Sequence, residues 1–209
     1  GPKDFVTNAD KKVEKILIED LLKYKKKFSI LSEEAGYIKN DDEQNTWVID
    51  PIDGTSNFLH GVPHFCISIA LKSENEITCG LIFDPIKNEL FYAEKNQGAF
   101  FNNQRIKVSK KINIEECLFA TNSDGIKKTN IFSRVTGSAA LDLAYVAAGR
   151  FDGYFQNGLN LWDIAAGVLI VNEAGGKTSD LDFEKDKKIN LLASSQQIYK
   201  KLSEKVGKF

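Results

Sequence analysis

Apolar residues change their spacing along the chain, and the changes mark out its elements. Val13, Ile16, Leu17, Leu21 and Tyr24 follow helical spacing, which predicts a helix with that face buried. Thr7 stands as its N-cap and Asp10 three residues later in a capping-box-like place. Phe28-Ser29-Ile30-Leu31 reads as a short strand, ended by Ser32-Glu33-Glu34-Ala35-Gly36. The polar stretch Lys39 to Asn45 predicts a surface loop. Trp47-Val48-Ile49 predicts a buried strand running into Asp50-Pro51-Ile52-Asp53-Gly54-Thr55.

From Phe65 to about Val108 short runs predict a β meander with strands at Cys66–Leu71, Ile77–Phe83, Leu90–Ala93 and Ala99–Phe101. Asn75, Asp84-Pro85, Asn88 and Asn102-Asn103 supply the turns. Beyond this the period returns to that of helices. Ala139 to Ala148 reads as a helix capped by Ser138 and stopped by Gly149, and Asp163 to Ala174 as another closed by Gly175-Gly176. Strands are predicted at Phe151–Phe155 and Ile189–Ala193, and a last helix at Gln196–Val206. The fold class is α/β (α+β). Two interlocked lobes are expected, residues 1–134 and 135–209, the second completing a site begun on the first.

Composition narrows the partners. With 209 residues, 42% of them hydrophobic, 27% charged and a formal net charge of -1, no global field favours nucleic acid or an anionic membrane. The run of Lys23, Lys25, Lys26 and Lys27 fits a solvated helix end. Cys66, Cys79 and Cys117 are widely spaced, with no zinc or disulfide pattern, and fit a reducing cytoplasm. The first residues carry no signal-peptide pattern, and no apolar run reaches the length of a membrane span.

The chemistry lies in where the acids fall. Glu33-Glu34, Asp50, Asp53 and Asp163 stand where a buried strand ends or a helix begins. An unpaired carboxylate there is costly, whereas a hard divalent cation makes it tolerable. Pro51 fixes φ, so Asp50, Asp53 and the Ile52 carbonyl can converge on one point. Gly54-Thr55-Ser56-Asn57 should open a helix whose free N–H groups can hold a phosphate. Blander readings stand beside these: Glu33-Glu34 as a solvated loop, Asp163 as a helix cap, Asp10 as a capping-box residue. His60 and His64 are four apart, but Pro63 between them argues against a regular helix carrying a metal pair. No GxSxG elbow, Cys–His pair, P-loop or dinucleotide fingerprint is present.

Asp50-Pro51-Ile52-Asp53-Gly54-Thr55-Ser56-Asn57-Phe58 resembles the first signature of the inositol monophosphatase family, and Leu161-Trp162-Asp163-Ile164-Ala165-Ala166-Gly167 its second. Asp4 to Asp10, Ser32-Glu33-Glu34 and Gly137-Ser138-Ala139-Ala140-Leu141-Asp142 resemble further blocks, and the wording is closest to bacterial members. The resemblance implies a layered αβαβα sandwich, magnesium dependence, lithium inhibition and a homodimer. It implies metal ligation by Glu33, Asp50, the Ile52 carbonyl, Asp53 and Asp163. It further implies an attacking water activated by Thr55, which Asp10 orients, with Glu34 supporting Glu33. The Gly54 and Thr55 amides would face the phosphate, and Gly137, Ser138 and Gln156 the substrate.

The implied activity is hydrolysis of a small phosphomonoester, inositol 1-phosphate or a similar polyol phosphate. A 3′-phosphoadenosine nucleotidase, a fructose-1,6-bisphosphatase and a regulatory partner of the transcription machinery are the alternatives. Two departures stand out. Gln156 occupies a position where the family places a Glu that accepts hydrogen bonds from sugar hydroxyls. The chain also starts almost directly at Asp4-Phe5-Val6, where family members carry a further helical region, and the stretch from Asn122 to Ser133 is short.

Overall fold

The computed structural model describes residues 8–122, 131–183 and 187–207. In chain order its first elements are α1 (Asn8–Tyr24), β1 (Phe28–Ser32), β2 (Gly36–Ile38), β3 (Asp42–Asp53) and α2 (Thr55–Leu59). The meander follows as β4 (Cys66–Ser73), β5 (Glu76–Asp84), β6 (Glu89–Glu94), β7 (Gly98–Phe101) and β8 (Gln104–Arg105). A 3-10 turn at Ile114–Glu116 leads to β9 (Leu118–Ala120), β10 (Phe132–Arg134), α3 (Ala139–Ala147) and β11 (Gly153–Leu159). The chain closes with α4 (Leu161–Glu173), β12 (Gly176–Thr178), β13 (Ile189–Ser195) and α5 (Gln196–Val206). The proposed N-cap Thr7, the block beginning at Asp4 and most of the short stretch after Asn122 lie outside the described residues.

Two sheets result. The first has the order β2-β1-β3-β4-β5-β6-β7-β8, antiparallel except for the β1–β3 pair. The second runs β10-β9-β11-β13-β12. Helices α3 and α4 pack on each other and touch both sheets, whereas α1 contacts β1 and β3, and α5 contacts β12 and β13. The sequence of layers is therefore αβαβα. In α4 the residues Ile164 to Val171 are all buried, as a helix sandwiched between layers requires. Its backbone approaches β5 so closely that a Cβ at Gly80 would meet Ala166 Cα at 2.9 Å. Each large apolar side chain removed from water here contributes about 1.5–3 kcal/mol.

The meander forms as its alternation predicts, and Asn102-Asn103, at φ 42 and 66, make the two-residue turn that joins β7 to β8. Three expectations need correction. The stretch 39–45 is not wholly loop, because β3 already starts at Asp42. There one carboxyl accepts from Gln44 N at 3.0 Å, Asn45 N at 3.1 Å and Asn45 Nδ2 at 2.9 Å.

The strand predicted at Phe151–Phe155 begins at Gly153 and continues to Leu159. Asp152 Oδ2 instead serves a turn, accepting from Leu118 N at 2.7 Å and Lys111 Nζ at 2.9 Å. The face predicted for α1 turns inward but is less apolar than expected: Val13, Leu17 and Leu21 are half-buried, Tyr24 is 84% and Ile16 50% exposed, and the fully buried residues on that face are Asp10 and Glu14. A half-buried apolar stripe and two buried carboxyls share the inward face of this helix.

Candidate active site

Strand β3 carries the centre of the site. Its pairing with β4 is regular up to Asp50↔Ser68 and resumes at Asp53↔Cys66, so Pro51 and Ile52 form an irregularity between the two acids. Ile52 N donates to Asp50 Oδ1 at 3.1 Å, which folds the Asp50 side chain back over the kink. Gly54 then takes φ 95, a left-handed conformation that reverses the chain into α2. Here a Cβ would also press on His64 O at 3.1 Å and Phe65 Cβ at 3.2 Å. Thr55 Oγ1 donates to Ile52 O at 3.0 Å and stands 3.4 Å from Asp10 Oδ1, so residues 45 positions apart meet as anticipated.

The predicted acids are brought together from three places. Glu33 lies in the turn after β1, where its N–H donates to Ile49 O at 3.2 Å, one residue before Asp50. The Glu33 and Asp50 carboxyls share a hydrogen bond. Asp53 Oδ2 accepts from Ser138 Oγ at 2.6 Å and Ala140 N at 2.7 Å, so it is held at the start of α3. Asp163 Oδ2 accepts from Asn160 N at 2.7 Å. Asn160, rather than Ser or Asp, caps α4, which begins at Leu161 instead of Asp163. The capping role considered for Asp163 is thus real, and it occupies one of its two oxygens.

Electrostatics record the crowding. Glu33 keeps one side in solvent, yet partial burial of its carboxyl, followed by the charges of Asp163, Glu34 and Asp53, pushes it up to about 7. Burial likewise raises Asp163 to about 7, offset by its Asn160 bond and by Lys188, while Asp53 adds to the rise. Asp50 lies well above the usual carboxylate range because it is buried and faces Asp53, Glu33 and Asp163. Asp53 is raised by burial, against the Ser138 and Ala140 bonds that favour its charged form.

These acids fit a hard cation. The donor set is all oxygen, and each carboxyl makes its neighbours harder to ionise. Among the described residues, however, no three acidic, His or Cys side chains already stand in a coordinating arrangement. One oxygen of Asp53 and one of Asp163 are engaged by backbone and Ser138, and Glu33 is bonded to Asp50. Ligation would use the remaining oxygens and replace the Glu33–Asp50 bond.

Several participants were not anticipated. Glu14 Oε1 accepts from Ser32 Oγ, from Glu34 N at 3.2 Å and from Ala35 N at 3.0 Å, underpinning the turn that bears Glu33. An acid four residues after Asp10 on the same helical face was the available signal. Asn57 Nδ2 donates to His64 O at 2.7 Å and Thr136 O at 2.8 Å, tying α2 to the loop that contains Gly137. Tyr154, fully buried, donates its hydroxyl to Gln156 Oε1 at 2.8 Å. α2 ends at Leu59, so His60 and His64 share no helix. His60 Nδ1 lies 2.8 Å from Ser56 O, and the His64 ring packs edge-on against Tyr145.

Comparison with known proteins agrees with this geometry. Residues 1–208 match the model of the inositol monophosphatase family. An inositol-1-monophosphatase of Mesorhizobium japonicum is 40% identical over an alignment covering 100% of this chain and 85% of the relative. The Nus factor SuhB of Escherichia coli is 43% identical, over 86% of this chain and 73% of its own length. Among solved structures, the extragenic suppressor protein suhB of Bartonella henselae superposes with a TM-score of 0.91 at 43% identity, covering 100% of this chain and 88% of that one. An IMPase of Thermotoga maritima gives a TM-score of 0.89 at 38% identity, covering 99% and 84%. The chain belongs to the inositol monophosphatase family.

Proposed function

We propose that the protein is a magnesium-dependent phosphomonoesterase acting on a small polyol phosphate, with inositol 1-phosphate as reference substrate. The observation that carries this reading is that Glu33, Asp50, Asp53 and Asp163, from three elements, lie close enough to raise one another's pKa. Magnesium held by these acids and the Ile52 carbonyl would lower the pKa of the attacking water and offset charge on the leaving oxygen. Thr55 Oγ1 would accept a proton from the attacking water as its own hydrogen, turned from Ile52 O, passes to the Asp10 carboxylate 3.4 Å away, whose place on α1 fixes the hydroxyl. The backbone at Gly54 and Thr55 faces the phosphate, and the loop of Gly137 and Ser138, with Gln156, receives the alcohol part.

Each of the three arginines already has a partner of its own. Arg150 is forked onto Glu89 at 2.6 and 2.7 Å, Arg105 donates to Gln97 O, and Arg134 donates to Ser133 O. This disfavours the nucleotidase and bisphosphatase readings. The relatives called Nus factor SuhB favour a second role, as a binding partner of the transcription machinery. The three free cysteines suit a reducing compartment, and the family likeness extends the reading to a cytoplasmic homodimer.

The test is phosphate release from inositol 1-phosphate, glycerol 2-phosphate, fructose 1,6-bisphosphate and adenosine 3′,5′-bisphosphate, with magnesium and with chelator. Release from the first two that requires magnesium supports the reading, and no release from any ester refutes it. Asp53→Asn should remove this activity. Retained binding to transcription factors by that variant would mark the second role as separate.

A further inference from the structure

Helix α1 docks through two acids, Asp10 and Glu14, one turn apart and both buried. Asp10 reaches Thr55. Glu14 reaches the other side of the site, where a single oxygen, Oε1, collects three donors from four consecutive residues: the Ser32 hydroxyl and the Glu34 and Ala35 amides. Between these anchored residues stands Glu33. Its own N–H is fixed on Ile49 O from the neighbouring strand, and its carboxyl is turned toward Asp50. The turn is thus held on one side by β3 and on the other by a side chain, and the Glu33 side chain is left to point into the acid cluster.

A purely structural role would not require an acid there. Most of the apolar residues of α1 are only half-buried, so a hydrophobic residue at position 14 would serve burial better. What an apolar residue cannot do is accept at once from the buried Ser32 hydroxyl and from two main-chain N–H groups of the turn.

We infer that Glu14 is a positioning residue: by accepting from Ser32, Glu34 and Ala35 it fixes the turn that aims Glu33 at the cation site. The inference rests on the proposed metal role of Glu33. Its consequence is specific. Glu14 should govern cation affinity through Glu33 without touching the cation or the substrate, and the acceptor oxygen matters rather than the charge.

The test compares Glu14→Ala, Glu14→Gln and Ser32→Ala in the full chain. The readouts are calorimetric titration with magnesium chloride alone, melting temperature, and substrate KM at saturating magnesium. Loss of an orienting partner behind a ligand should weaken magnesium binding about 10-fold in Glu14→Ala, leave Glu14→Gln within about 3-fold of the parent, and place Ser32→Ala between them. KM at saturating magnesium should stay within about 2-fold in all three, since none faces substrate.

A folded Glu14→Ala with unchanged magnesium affinity overturns the inference, as does Glu14→Gln binding as poorly as Glu14→Ala. Should Glu14→Ala not fold, Ser32→Ala decides: parental magnesium affinity there refutes the inference, and weakened affinity with parental melting supports it. A parent protein that binds no magnesium and releases no phosphate would instead refute the reading of the site itself.

Discussion

Ser138 Oγ donates to Asp53 Oδ2 at 2.6 Å, joining residues 85 positions apart at the boundary between the first sheet and α3. The same hydroxyl oxygen accepts from Leu141 N at 3.4 Å as the helix cap. One side chain therefore starts a helix and secures an acid of the cluster. Ser138→Ala removes both bonds and leaves Asp53 Oδ2 with the Ala140 N–H and the weaker Cys66 thiol as donors. Urea unfolding should show a loss of about 1–2 kcal/mol with unchanged m. Ser138→Thr, which keeps the hydroxyl, should recover most of it.

The raised carboxyls make stability depend on pH in a definite direction. Glu33 and Asp163 sit at about 7 in the folded protein, above ordinary values of 4.5 and 3.8. Between those limits the folded state holds more protons than the unfolded chain. Their contribution is therefore complete at low pH and is lost as pH rises through about 7. In chelator, the melting temperature should fall between about pH 6 and about pH 8, and added magnesium should raise it more at the higher value. A magnesium effect of equal size at both would show that these acids do not titrate as a cluster.

Gly54 tests the backbone of the reversal rather than its acids. At φ 95 any L side chain is strained, and the new Cβ would meet main-chain and side-chain atoms of His64 and Phe65 at 3.1–3.2 Å. Gly54→Ala should cost about 1–2 kcal/mol from conformation alone, with some further loss from the contact. The outcome is read by denaturant melts. Because Thr55 follows directly, phosphate release should fall by more than the stability loss explains.

How much of this was legible follows from what each signal depends on. The meander and the strand into Asp50 were readable because alternation and Asn turns act over a few residues. The kink between Asp50 and Asp53 was readable because two acids astride a Pro leave few conformations. The inward face of α1 was readable from Val13, Leu17 and Leu21, but that its most buried members are Asp10 and Glu14 was not, because their partners Thr55 and Ser32 are distant in sequence. The bounds of α4 depended on Asp163 reaching back to Asn160, which spacing alone does not reveal. Asn57 sat within a recognised motif, yet its role arises only once Thr136 is folded beside it.

In the proposed reading Gln156 faces the alcohol part of the substrate, and its own hydrogen bonding then sets the polarity met there. Tyr154 is fully buried, and its hydroxyl has Gln156 as its hydrogen-bond partner. The Tyr154 hydroxyl donates to the Gln156 oxygen at 2.8 Å, so the oxygen is the end of the amide that faces Tyr154. Gln156 as a whole is half-buried, and the amide nitrogen is the end not bonded to Tyr154; it offers hydrogens where a carboxylate would offer lone pairs.

A substrate hydroxyl can meet either group, because it donates and accepts. An acceptor-only group, such as a carboxylate beside the ester, can meet only the amide and would be repelled by a charge. Gln156→Glu should therefore preserve kcat/KM for inositol 1-phosphate within about 3-fold while lowering it about 10-fold or more for 2-phosphoglycerate, the shift falling mainly on KM. Parallel changes for both substrates would mean that Gln156 does not face the alcohol part. Tyr154→Phe supplies the complementary reading. It frees the Gln156 oxygen to rotate outward, so the preference between the two esters should narrow while magnesium affinity stays at the parental value.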